Sequence, residues 1–303
     1  TELAAAYLSG LQDGENRVLG SPKHFVGDGG TRWGTTRTYD WLQGFFQAPG
    51  DKYSIDQGDN QDGEADLRRI HLAPYRAAID AGAINIMVSF SSWQGSKMHA
   101  HKYLLTDVLK GEMGFKGFLV SDWMAGYQLD RDFYTAVVSS INAGVDMVMV
   151  PFDFKTFIAT LTLAVQNGDV PMVRIDDAVR RILQAKVWLG MYSNPFGLPE
   201  TVSSVGAEAH RNVARTAVHK SVVLLRNQLG ALPLDKGARI LVGGRGGDDI
   251  GMQCGGWTID WQGSHGAITA GKSIVTGMRE LVDDPSQIAY SADGSFAGGI
   301  KIK

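Results

Sequence analysis

The run GFLVSDW, Gly117 to Trp123, places a carboxylate where a reaction could use it. Its apolar centre (Phe118, Leu119, Val120) reads as a buried parallel strand, and it ends on Ser121, Asp122 and Trp123. In barrels of parallel strands, a carboxylate at the carboxyl end of a strand is aimed into the active site. The neighbouring Trp123 offers a flat apolar face on which a sugar ring can stack. The competing use of Asp122 is as a cap for the segment that follows.

Lys23 and His24 form a second candidate pair, after a short strand and before the loop FVGDGGTRWGTT. An ammonium supplies three donors, and an imidazole donates from one nitrogen while accepting on the other, so together they can hold vicinal hydroxyls. An isolated pair of this kind is more often a solvated Lys beside a half-buried His. Trp257 and Trp261, in CGGWTIDWQG, stand four residues apart among glycines. They either line a sugar cleft or fill a small core.

Other patterns carry less. In VGGRGGDDIG, Gly244 and Gly246 take the first two positions of a dinucleotide fingerprint, but the third is Asp249, an acid facing a would-be pyrophosphate. Gly271-Lys272-Ser273 lacks the glycine and the strand that a phosphate loop requires. A nucleotide-dependent oxidoreductase is therefore disfavoured. His99 and His101 have no third ligand at metal spacing, so packing is the expected role. Cys254 has no His partner for a nucleophilic thiol.

The elements that must position these residues alternate between strand and helix. Strand-like runs are Ser21 to Phe25, Ile84 to Phe90, Gly117 to Ser121 and Val145 to Val150. Helical periodicity fills Leu67 to Ala81, Tyr103 to Gly111, Phe154 to Asn167 and Ile175 to Leu189. Asp176 and Asp177 are expected in the first turn of the last helix, with Gly190 as its stop. Residues 193–206, rich in Pro, Gly and Ser, read as a linker. A helix over Glu208 to Leu225 and a strand from Arg239 to Val242 then open a second α/β unit. The alternation predicts a parallel sheet or barrel. A closed barrel needs eight strands in ~250 residues, so only part of one is expected here.

Composition narrows the partners. The chain has 303 residues, 44% of them hydrophobic, and a formal net charge of -3 without blocks of like charge. Nucleic acid and anionic membrane are poor partners for such a chain. No apolar run approaches the ~18 residues of a membrane span, and no leader peptide is visible at Thr1 to Gly10. No Asn-x-Ser/Thr sequon occurs, which suits a bacterial source.

In order along the chain, these segments resemble glycoside hydrolase family 3, in particular its exo-acting β-glucosidases and β-glucan glucohydrolases. The matching stretches begin with KHFVGDGGT (Lys23 to Thr31), RRIHLAPYRAAIDAGA (Arg68 to Ala83) and SFSSWQGSKMHAH (Ser89 to His101). LLTDVLKGEMGFKGFLVSDW (Leu104 to Trp123), INAGVDMVMVP (Ile141 to Pro151) and RIDDAVRRIL (Arg174 to Leu183) follow. SVVLLRNQLGALPL (Ser221 to Leu234) and DDIGMQCGGWTIDWQG (Asp248 to Gly263) complete the series.

The resemblance implies a (β/α)8 barrel followed by an α/β sandwich, each only partly present. Residues 1–192 would be barrel, 193–206 linker and 207–303 the start of the sandwich. It also implies Asp122 as nucleophile, Lys23 and His24 on hydroxyls of the terminal glucose, and Trp123 and Trp261 as a clamp on the next sugar. Neither cofactor nor metal is implied. The acid/base Glu and the first barrel strands of the family are not matched, so these residues are expected to be the middle of a larger protein.

An Arg that some relatives carry six residues after the nucleophile is Gln128 here. The stretch Arg32 to Asp62, with Trp33, Trp41, Phe45 and Phe46, looks extended and reads as a loop over the cleft or a homo-oligomer contact. The N-acetylglucosaminide branch places a His in its KHFPGHGD loop, which KHFVGDGG lacks. The expected substrates are β-linked gluco-oligosaccharides or aryl and alkyl β-glucosides. A β-xylosidase is the alternative within the family, and a catalytically silent glycan-binding module the alternative outside enzymes. Secretion or a bacterial periplasm is the expected location.

Overall fold

Three consecutive apolar residues, Phe118–Val120, lie buried on both faces and form a central parallel strand. The computed structural model describes residues 1–42 and 55–299, in two compact units, 1–200 and 201–303. On one side of the central strand, Asn85–Met87 runs parallel with Ile86 opposite Leu119. On the other side Val120 bridges Met147, also in parallel. Phe25 extends the array by a parallel bridge to Val88, with its N–H donating to the Met87 carbonyl at 2.7 Å. The spatial order is therefore Phe25, Asn85–Met87, Phe118–Val120, Met147, and all four carboxyl ends emerge on one edge. Lys23 and His24, Ser89 and Asp122 lie close to that edge.

Helices connect these runs. A continuous helical stretch covers 64–80, with π winding at Leu67–Leu72, and Tyr103–Glu112 is π-wound throughout. Their apolar faces bury Leu67, Leu72, Leu105 and Leu109 against Phe25, Ile86 and Leu119, the main core of this unit. Gly117 permits the close approach of neighbouring strands, since a Cβ there would lie 2.0 Å from the Ile84 carbonyl oxygen.

The structure corrects the sequence reading in several places: the expected strands Ser21 to Phe25 and Val145 to Val150 are reduced to single bridges at Phe25 and Met147, and three further changes fall in the first unit. A helix not anticipated, Phe133–Ala143, follows the Asp122 loop. Asp132 caps it by accepting the Thr135 N–H at 3.0 Å, and Gly144 ends it at φ 119°. The last helix starts earlier than expected, at Met172, so Asp176 and Asp177 are not first-turn acids. Asp177 instead pairs with Arg174 and with Arg181, which also donates to the Phe115 and Gly117 carbonyls. Arg174 reaches on to Asp146, whose side chain is fully buried and accepts from Lys110 Nζ at 2.8 Å and the Leu119 N–H at 2.8 Å. Third, the segment after Phe90 folds as a hairpin, Ser92–Trp93 against Ser96–Lys97, which pairs in parallel with Asp59–Asn60.

In the second unit the helix Glu208–Ser221 stops before Val222 and Val223, short of the expected Leu225. Strands Ile240–Gly243 and Ile288–Ser291 pair in parallel, with helices Ile250–Cys254 and Ile274–Leu281 between them. Asp249 caps the first of these, accepting N–H groups from Met252 at 2.9 Å and Gly266 at 2.7 Å. It is a structural acid, in keeping with the failed dinucleotide fingerprint.

Candidate active site

Asp122 is held by the backbone on both sides of it. Ser121 Oγ donates to the Asp122 carbonyl at 2.8 Å and accepts the Met149 N–H at 2.8 Å, tying the strand end to its neighbour. Met124 adopts a left-handed φ of 54° and donates its N–H to the Met149 carbonyl, so the chain turns sharply after Trp123. The Asp122 N–H donates to Nε2 of His99 at 2.9 Å. His99 is 1% exposed, and burial pushes its pKa down to about 3, so the ring is neutral and Nε2 can accept. The backbone of Ser89 is its other partner.

The carboxylate itself is 16% exposed. One oxygen accepts the Trp123 N–H at 2.6 Å, and the other faces His24 Nε2 at 3.7 Å. Burial raises the Asp122 pKa, while the Trp123 N–H, the His24 ring whenever it is protonated, and the Lys23 ammonium act in the opposite direction. A carboxylate attacks carbon only when ionised, so if Asp122 is a nucleophile the acid limb of kcat/KM is expected above the ordinary aspartate value of 3.8. Lys23→Met removes a cation that favours ionisation and should move the limb further up. A pH–rate profile of the two proteins checks this, and a limb that stays put or moves down would contradict it.

The structure brings Lys23, His24 and Trp123 to Asp122. The peptide bonds Lys23–His24 and Phe25–Val26 are both cis. Phe25 and Val26 are fully buried, which anchors the segment, while the Lys23 side chain is exposed and His24 is half-buried. His24 Nδ1 pairs with Asp28 Oδ2 at 3.0 Å. Trp123 is 46% exposed, and Phe152 meets it edge-on at 6.1 Å between ring centroids. One Asp122 oxygen caps the turn at Trp123, and the other faces His24 beside an exposed aromatic ring.

The described residues of the stretch 31–62 meet the loop that follows Asp122 at Asp40, Trp41 and Gln57. Trp41 Nε1 donates to the Tyr127 carbonyl at 2.9 Å, and Arg131 pairs with Asp40 at 3.4 Å. Gln128 is buried and donates its amide to Gln57 Oε1 at 2.9 Å, so it fastens this stretch in place of reaching outward. Phe45 and Phe46 lie outside the described residues. Trp33 is exposed.

Trp261 lies in the second unit. Trp257 and Trp261 are both exposed, with ring centroids 6.4 Å apart, so they do not fill the core of that unit. Positive φ at Trp257 (62°) and Ile259 (65°), and a hydrogen bond of 3.1 Å from the Trp257 N–H to the Trp261 carbonyl, shape this tight loop. His101 packs between Trp93 and Tyr103. Cys254 is exposed.

Sequence reasoning missed His99, Asp28 and Phe152. The signal for Asp28 was present, four residues after His24 in a loop read for its glycines. For His99 there was none, since its partner is 23 positions away.

Comparison with known proteins bears on this geometry. Residues 49–185 match the model described as the glycosyl hydrolase family 3 N terminal domain. A lysosomal beta glucosidase of Dictyostelium discoideum is 33% identical over 93% of this chain and 34% of its own length. A periplasmic beta-glucosidase of Salmonella typhimurium is 33% identical over 73% of this chain and 29% of its own. Among solved structures, a mutant of an exo-1,3/1,4-beta-glucanase from Pseudoalteromonas superposes with a TM-score of 0.81 at 36% identity. It covers 99% of this chain, which spans 47% of that protein. The chain thus spans about a third of the curated relatives it matches and about half of that structure.

Proposed function

We propose, from the premise that this chain belongs to glycosyl hydrolase family 3 and carries part of its TIM-barrel-type domain, that it acts in a retaining exo-β-glucosidase or β-glucan glucohydrolase. The observation that carries the reading is Asp122, at the carboxyl end of the central parallel strand, with one oxygen directed at His24 and an exposed Trp beside it. Asp122 attacks the anomeric carbon from the face opposite the leaving β-oxygen and forms a covalent α-glycosyl ester. A second carboxyl ~5–5.5 Å away protonates the leaving oxygen and then activates the water that hydrolyses the ester. By the family pattern that group is a Glu of the sandwich domain. Lys23 and His24 hold hydroxyls of the glucose in the first subsite. Under this reading 1–192 is barrel, 193–206 linker and 207–303 the opening of the sandwich.

The family resemblance assigns Trp123 and Trp261 to the next sugar, and the substrate class is read as β-linked gluco-oligosaccharides and aryl β-glucosides. Names among the relatives include a periplasmic enzyme, and a periplasmic or secreted setting follows from polymeric glucans lying outside the cell. No helix among the described residues is long and apolar enough to cross a membrane.

The test is glucose release from β-1,2, β-1,3, β-1,4 and β-1,6 disaccharides, with xylobiose as the control for a β-xylosidase. Release of glucose from at least one gluco-disaccharide is expected. Cleavage of xylobiose alone would replace the glucosidase reading, and no cleavage would leave a glycan-binding module. Trp261→Ala is expected to raise KM for the preferred disaccharide about 5-fold, the worth of a stacking contact of about 1 kcal/mol. KM for an aryl glucoside with a good leaving group should change less. Equal effects on both would count against the clamp.

A further inference from the structure

We propose that Asp28 is a positioning residue that fixes which nitrogen of His24 carries the proton, and so decides what His24 offers the sugar and Asp122. The proposal deepens the glucosidase reading and rests on it for its catalytic consequence.

The loop is built to hold Asp28 in place. After the buried Phe25 and Val26, Gly27 turns at φ 90° into the short helical turn Asp28–Gly30. Asn60, fully buried, donates to the Gly27 carbonyl at 3.0 Å. A side chain at Gly27 would meet that Asn60 amide at 2.9 Å, so glycine is required on steric as well as conformational grounds. Both oxygens of Asp28 are then engaged. Oδ1 accepts the Gly29 N–H at 3.1 Å, and Oδ2 faces His24 Nδ1 at 3.0 Å.

A carboxylate has no hydrogen to give, so Nδ1 must be the donor in that contact. In the neutral ring Nε2 is left with its lone pair. Nε2 stands 3.7 Å from Asp122 Oδ2, beyond direct hydrogen-bond range. A sugar hydroxyl placed there can donate to Nε2, so His24 acts as an acceptor toward the sugar. The opposite tautomer would turn an N–H toward Asp122, where it would compete for the electron pair that must attack carbon.

Asp28→Asn tests this with little change of shape. The amide oxygen can keep the Gly29 contact, while the amide nitrogen presents a hydrogen to Nδ1 and reverses the ring. In the protein carrying these residues, labelled with 15N-histidine, the His24 ring signals are assigned by their loss in His24→Gln. The expected result is an Nδ1–H ring in the wild type and an Nε2–H ring in Asp28→Asn. With it should come a fall of at least about 10-fold in kcat/KM on an aryl β-glucoside, the lower end of what losing a partner that orients a functional His costs elsewhere. Asp28→Glu, which keeps a carboxylate, should retain the wild-type ring and recover part of the rate.

An Nε2–H ring in the wild type overturns the proposal, whether or not the variants fold. So does a reversed ring in Asp28→Asn with undiminished kcat/KM. A wild type that turns over no β-glucoside would refute the glucosidase reading instead, and the ring signals would still decide what Asp28 does to His24.

Discussion

Asp122→Asn is expected to lower kcat on an aryl β-glucoside by on the order of 10⁴-fold or more, the scale seen when a covalent nucleophile is removed. The fold should survive the change. An asparagine oxygen can still accept the Trp123 N–H now held at 2.6 Å, and the Asp122 N–H keeps its bond to His99. Burial raises the pKa of Asp122, which means that its charge is carried at a cost to the folded state. The sign follows: a group with a raised folded pKa destabilises the fold while ionised, so removing the charge at neutral pH leaves stability unchanged or slightly increased. Thermal unfolding followed beside kcat checks both halves. A variant that unfolds early, or that keeps more than about a tenth of wild-type kcat, contradicts the role assigned to this carboxylate. Asp122→Gly opens space in which azide can attack the same face, and the α-glucosyl azide is the product expected there.

The second large effect falls on stability. Asp146→Ala should cost about 3–5 kcal/mol, because it leaves the buried Lys110 ammonium without its carboxylate and takes one of two carboxylate partners from Arg174, which keeps Asp177. Lys110 is 6% exposed, and the Asp146 side chain also holds the Leu119 N–H in the central strand. Against a total of about 5–15 kcal/mol for a folded domain, such a loss is severe. Denaturant titration measures it, and Asp146→Asn, which can still accept from Leu119, should lose less. A loss below about 1 kcal/mol for the alanine variant would mean that this cluster is solvated in solution.

These two residues also mark what the sequence made legible. Gly117 to Trp123 could be read as strand and carboxylate because an apolar run buried on both faces leaves a plain local pattern, and the polar residues begin where burial ends. Asp146 could not be read in the same way. Its partners Lys110, Arg174 and the Leu119 N–H come from other elements, and the sequence offers only an acid in AGVDMVMV. Asp177 lost its expected first-turn role for a different reason: the helix begins at Met172, and Asp177 pairs within it with Arg174 and Arg181. Phe133–Ala143 escaped because Val137, Ile141, Ala136 and Ala143 are all buried, so its apolar pattern runs too far round the helix to stand out. Its punctuation, Asp132 and Gly144, was nevertheless present.

Within the site, Lys23, His24 and Trp123 were legible through short motifs close to strand ends. The support beneath Asp122 was not, since His99 had been weighed only for metal spacing. The exposure of Trp257 and Trp261 likewise needed the structure, because four-residue spacing serves a core and a cleft equally well.

The central claim is that the Asp122 carboxylate becomes bonded to the sugar during turnover. A 2-deoxy-2-fluoro-β-glucoside with a good leaving group slows both steps and traps that ester, and peptide mass spectrometry then locates it. One fluoroglucosyl group per protein is expected, on the peptide containing Asp122. A label on any other side chain, or inactivation without a label, would contradict it.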